Sequence, residues 1–139
     1  MKIEKVQERA LRIILNDCES NYKNLLIETN RLSLYITRLQ LIVTEVFKAT
    51  RGMTPSFIKE LFTIKRHDYE FRDNNTLVVP SFKTIHFGKN CLSYHGPYLW
   101  NSLEIKCKDV ENLNEFRNII KNWRGPMCQC GYCLVCLYS

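Results

Sequence analysis

A chain of 139 residues with 45% hydrophobic and 12% aromatic residues is large and apolar enough for a single folded domain, which excludes a wholly disordered segment. Its 20 Lys and Arg against 14 Asp and Glu give a formal charge of +6, which favours anionic partners, nucleic acid first among them. The basic residues are spread along the chain rather than gathered in one block. No run approaches the roughly 20 apolar residues of a membrane helix, because the longest candidate is interrupted by Arg38, Gln40 and Glu45, and a soluble protein with no membrane partner is expected.

The first residues, MKIEKVQERALRIILND, place Ile3, Val6, Ala10, Ile13 and Ile14 at helical spacing, with Lys2, Lys5, Arg9 and Arg12 on the other side. That spacing predicts an amphipathic helix over 2–16 with an apolar stripe toward a core and a basic outer face. The basic face reads either as phosphate-facing or as an ordinary solvated surface, the latter favoured by the interrupting Glu4 and Glu8. A start that mixes acidic and basic residues in this way fits neither a signal peptide nor a transit peptide. A short second helix is expected over 20–29 with Ser20 as N-cap.

Residues 32–51, LSLYITRLQLIVTEVFKATR, are apolar around most of the circumference, with Leu34, Tyr35, Leu39, Ile42, Val43, Val46 and Phe47 in one broad stripe. Such a helix belongs at the centre of a bundle, and its β-branched Ile42, Val43 and Thr44 make it depend on packing. Gly52 suits the left-handed position after a helix, and Thr54 followed by Pro55 reads as the N-cap and first residue of another helix reaching Phe62. From His67 to Gly88 aromatic and β-branched residues alternate around an Asp73-Asn74-Asn75 turn, with Pro80 placed where a central strand would not accept it, so a small β-hairpin or two extended arms are expected. Tyr69, Phe71 and Phe82 there read either as base-stacking rings or as packing of the hairpin onto the helices.

Cys91–Leu103 predicts a helix disturbed near Gly96-Pro97 and restarting at Pro97, with Leu99, Trp100 and Leu103 inward. Asn112 and Glu115 have capping-box spacing ahead of Leu113, Phe116, Ile119, Ile120 and Trp123, which predicts a last amphipathic helix with Arg117, Lys121 and Arg124 outside. The fold class expected is mainly α: a single helical domain over 1–126, of roughly five or six helices with a small β-hairpin, followed by a Cys-rich tail over 127–139.

The tail concentrates four of the seven cysteines in nine residues, as Cys128-x-Cys130-x2-Cys133-x2-Cys136. Four thiolates suit a tetrahedral structural zinc, although the C-x-C step is tighter than the usual paired C-x2-C spacing. The competing reading is a flexible thiol-rich tail. An iron–sulfur cluster, and a site of three tail cysteines completed by His95 or Cys107, are further alternatives. No phosphate-binding loop, zinc-protease helix, nucleophile elbow or paired-aspartate site is present, and His67, His86 and His95 have no partner spacing, so no enzyme activity is expected of this chain alone.

In order along the chain, EKVQERALRIILND, LYITRLQLIVTEVFKATRGMTPSFIKELF, FRDNNTLVVP, GPYLWNSL, LNEFRNIIKNW and the closing cysteines resemble the region after the polymerase core in non-LTR retrotransposon reverse transcriptases, the LINE-type and jockey-like proteins of animal genomes. The similarity spans nearly the whole chain. It departs where Glu104 stands in place of the usual proline after LWNSL, and in a tail richer in cysteine. The resemblance implies a C-terminal piece of a mobile-element polyprotein, intracellular in nucleus or cytoplasm, without the reverse transcriptase and endonuclease domains and with no catalytic residue to carry over. Its implied partners are RNA or DNA and the reverse transcriptase domain of the same polyprotein. On that reading Lys2, Lys5, Arg9, Arg12, Arg117, Lys121 and Arg124 would neutralise phosphates, and Cys128, Cys130, Cys133 and Cys136 would hold zinc. The alternatives are a structural module packed on the polymerase domain, which exposed apolar residues on the first helix would favour, and a relic without selected function.

Overall fold

The chain is mainly helical in a computed structural model that describes residues 2–66 and 75–126. Among the described residues there are seven α-helical segments and one π-helical turn: α1 (Lys2–Leu15), α2 (Tyr22–Glu28), α3 (Leu34–Thr50), α4 (Ser56–Lys59), the π turn Ile85–Lys89, α5 (Leu92–Asn101), α6 (Ile105–Lys108) and α7 (Leu113–Ile120). They gather into two compact units divided between Arg38 and Leu39.

In the first unit, α1 and α2 pack through Leu11, Tyr22, Leu25 and Leu26, with Leu15 at the margin. One polar residue links three segments there. The Gln7 amide accepts from the Tyr22 hydroxyl at 2.6 Å and from the Leu34 N–H at 3.2 Å, and donates to the Leu32 carbonyl at 3.1 Å. Before α2, Asp17 Oδ1 accepts from the backbone N–H groups of Glu19 and Ser20 at 2.9 and 3.0 Å. Bonds from Ser20, side chain first and then backbone, hold the Asp17 carboxyl below its ordinary pKa, aided by the Glu19 N–H and the Arg12 charge. Ser20 therefore serves this turn. Asn21, extended and without a side-chain bond, is the N-cap of α2 instead.

The second unit is built on α3, whose Leu39, Val43, Val46, Phe47 and Ala49 are all buried, together with Leu77, Leu99, Trp100, Leu103, Phe116 and Ile120. Phe47 stacks on Phe116 with centroids 4.2 Å apart, and Trp100 lies 6.5 and 6.1 Å from those two rings. The inward placement expected of Leu99, Trp100 and Leu103 is observed, whereas Leu34 of the broad apolar stripe is exposed.

The ends of the first three helices follow one rule. After α1, α2 and α3 come Asn16, Asn30 and Gly52, at φ 52°, 50° and 72°. In each case the next residue's N–H reaches back five positions: Asp17 to Arg12, Arg31 to Leu26, and Met53 to Lys48, at 3.1, 2.9 and 2.8 Å. These are Schellman closures, which satisfy carbonyls that a helix end otherwise orphans.

Several expectations are corrected. Thr54 does not cap α4; Pro55 is extended and itself the N-cap, and the Thr54 hydroxyl is buried without a hydrogen-bond partner among the described residues. Beyond α4 the chain reaches Phe62 through turns rather than helix. α5 is continuous through Pro97 rather than restarting there. A proline forfeits one helical bond, and here the buried Gly96-Pro97 step lies against the core, where a Cβ on Gly96 would come within 2.9 Å of Val46 Cγ2. Asn112 does cap α7, its Oδ1 accepting from the Asn114 N–H at 2.9 Å.

The hairpin is not found in its described half. Residues 67–74, with Tyr69 and Phe71, lie outside the described residues, and residues 75–84 form no strand, only one isolated antiparallel bridge, Ile64 to Leu77, between a turn at Asn75 and a bend at Lys83. The pairing partner lies upstream of the whole predicted hairpin, as Lys65 N–H bonds the Thr76 carbonyl and Val78 N–H the Thr63 carbonyl, both at 2.8 Å. On the other side of Leu77 a side chain substitutes for a strand: Asn101 Oδ1 accepts from Leu77 N–H at 2.9 Å, while its Nδ2 donates to Leu77 O at 2.8 Å. Trp100 Nε1 anchors the same segment by donating to the Asn75 carbonyl at 2.7 Å.

Candidate nucleic-acid interface

The basic residues singled out by sequence fall in two groups, one on each unit. On α1, Lys5 and Arg9 are exposed, and the side chain of Lys2 lies outside what is described. Arg12 is turned inward: it pairs with Glu8 at 2.9 Å and also bonds the Cys18 carbonyl, so its guanidinium braces the end of α1. On the second unit Arg117, Lys121 and Arg124 are exposed along and just beyond α7. Lys121 Nζ donates to Asn118 Oδ1 at 3.1 Å, and Arg124 Nη1 donates to the Lys121 carbonyl at 2.8 Å, so the three cations lie along one helix terminus. Such a row can neutralise phosphates without selecting bases.

The inward face of α1 is not the one its isoleucines predicted. Glu4 and Leu11 are buried, with Gln7, Glu8, Arg12 and Leu15 half-buried, whereas Ile3, Val6, Ile13 and Ile14 are 58, 66, 80 and 72% exposed. The physical reason is the Gln7 amide, which meets Tyr22 and Leu34 only with this face inward. Both carboxylates of α1 thus lie toward its inner side, Glu8 only half-buried, and its exposed residues are apolar or cationic.

Cys128, Cys130, Cys133 and Cys136 lie outside the described residues. Among the described residues, no group of three or more His, Cys, Asp or Glu is arranged to hold a metal ion. Cys18, Cys91 and Cys107 are free thiols. Burial, with the nearby Glu104 charge, pushes the Cys107 thiol above its ordinary pKa, which disfavours the thiolate a zinc ligand needs. Cys91 is shifted down, chiefly through the Ser93 hydroxyl at 3.0 Å.

Sequence reasoning missed the structural roles of Gln7 and Asn101, each a single amide satisfying several backbone or side-chain groups. It also missed Arg51, which donates to the carbonyls of Lys108 and Val110 at 2.8 and 2.7 Å and ties α3 to α6. Polar residues in otherwise amphipathic helices carry no periodic signal for such roles. No protein-family model matches the chain, and no curated protein or solved structure matches it.

Proposed function

We propose that the chain is a non-catalytic accessory domain of a LINE-type reverse transcriptase polyprotein, docking through α1 onto the reverse transcriptase domain of the same polyprotein. The observation that carries this reading is the exposure of Ile3, Val6, Ile13 and Ile14 on one helix face with Lys5 and Arg9 beside them. Branched apolar side chains aligned in solvent mark a surface whose neighbour is missing. The cationic margin calls for an acidic rim on that neighbour, and the resemblance of the landmark order to LINE-type proteins supports a reverse transcriptase domain as that neighbour.

The test is the affinity of the full chain for a LINE-type reverse transcriptase domain, with and without the double change Ile13→Lys and Ile14→Lys. Burying each isoleucine contributes about 1.5–3 kcal/mol, so the variant is expected to bind at least roughly a hundredfold more weakly while keeping its melting temperature. Unchanged binding by the variant would overturn the docking reading.

The exposed row Arg117, Lys121 and Arg124 favours a second role, holding template RNA or target DNA through phosphates. Binding of that kind is sequence-independent and weakens steeply with salt. Four thiols within nine residues support a structural zinc on Cys128, Cys130, Cys133 and Cys136, which would make the tail a further single-strand contact.

A further inference from the structure

From Asn75 to Leu103 the chain contains no Asp or Glu but carries Lys83 and Lys89, both exposed. The same stretch presents a continuous series of aromatic contacts on the second unit. Phe82 meets Tyr94 edge-on at 4.7 Å, Tyr94 and Tyr98 lie parallel within 7° at 6.3 Å, and His95 tilts toward Tyr98 at 6.5 Å. The π turn closes over Phe82, since a Cβ on Gly88 would fall 2.5 Å from Phe82 Cβ.

Internal packing does not account for all of these rings. Tyr98 is 47% and Phe82 40% exposed, and Phe87, next to Gly88, is 88% exposed, more than any other large apolar residue described. Exposed rings with lysines close to them in sequence, on a stretch free of carboxylates, match a polyanion that carries flat π surfaces. We propose that Phe82, Phe87, Tyr94 and Tyr98 form a stacking platform for single-stranded nucleic acid, with Lys83 and Lys89 on its phosphates. Tyr94 and Tyr98 share one ring orientation, so a base laid parallel on the half-exposed Tyr98 continues that alignment. The proposal rests on the nucleic-acid reading for the class of ligand, but it concerns different residues from the α7 row.

The experiment is fluorescence anisotropy of the full chain with a labelled oligothymidylate and with an abasic strand of the same length and backbone, each at low and moderate salt. The thymidylate strand is expected to bind about tenfold more tightly than the abasic one. Tyr98→Ala and Phe87→Ala should each remove that preference and leave the salt dependence unchanged. Changing Arg117 and Lys121 to Gln should weaken both strands alike and flatten the salt dependence. Phe87 is nearly fully exposed, so its variant keeps the fold, and Tyr98→Leu retains the apolar volume should Tyr98→Ala unfold. Equal binding of the two strands by the native chain, or a base preference that survives both aromatic variants, overturns the platform while leaving phosphate binding in place. Failure of the native chain to bind either strand overturns both.

Discussion

Gln7 decides which way the first helix faces. Its amide accepts from Tyr22 and Leu34 and donates to Leu32, so one side chain satisfies groups from α2 and from the start of α3. Gln7→Ala would take this acceptor from the Tyr22 hydroxyl, on a buried residue; losing a buried hydrogen-bond partner costs about 1–3 kcal/mol. The expected outcome in urea denaturation is a loss of that size, with α1 and α2 reporting it together. A loss below about 0.5 kcal/mol would mean that the apolar contacts of Leu11, Leu25 and Leu26 alone orient the helix. Asn101 performs the corresponding service for Leu77, where a side-chain amide supplies the donor and acceptor that a neighbouring strand would otherwise provide.

Among the elements, the central helix and the terminal helix were legible because their chemistry is periodic or local. Val43, Val46 and Phe47 repeat at helical spacing, and Asn112 stands where an N-cap must accept. The orientation of α1 was not legible, since its strongest apolar periodicity marks the exposed face. Periodicity reports that a helix has two faces, but long-range polar contacts choose between them. The hairpin reading was not met in the described half for a related reason: no strand ladder forms there, and Leu77 instead bridges Ile64, with the backbone bonds of Thr63 and Lys65 and the Asn101 side chain around it. Of the candidate surface, the cations of α7 could be read from sequence, but the gathering of Phe82, Tyr94 and Tyr98 could not. Of the three left-handed closures, only Gly52 announced itself, because asparagine also adopts this conformation but is common elsewhere. A methyl group added at Gly52 would meet nothing within 4 Å, so Gly52→Ala isolates the backbone penalty of φ 72° and should cost about 1 kcal/mol. Asn30→Gly, at φ 50°, should cost nothing measurable. Thermal denaturation of the two variants distinguishes this expectation from one in which the closures are incidental.

For the molecule as a whole, the unequal cores of the two units set an order of stability. The second unit buries Phe47, Trp100 and Phe116 as a packed aromatic centre, while the first relies on Leu11, Tyr22, Leu25 and Leu26. Native-state hydrogen exchange is therefore expected to be slowest at Val43–Phe47, Leu99–Trp100 and Phe116–Ile120, and faster throughout α1 and α2. Equal protection across both units would mean that they unfold as one. The solvent-facing isoleucines of α1 have a consequence for the cell as well. Under the docking proposed above, a copy lacking the reverse transcriptase domain would display the kind of sticky surface on which chaperones and proteases act. Copies severed from that domain would thus be cleared first, leaving chains in which the isoleucines of α1 are covered.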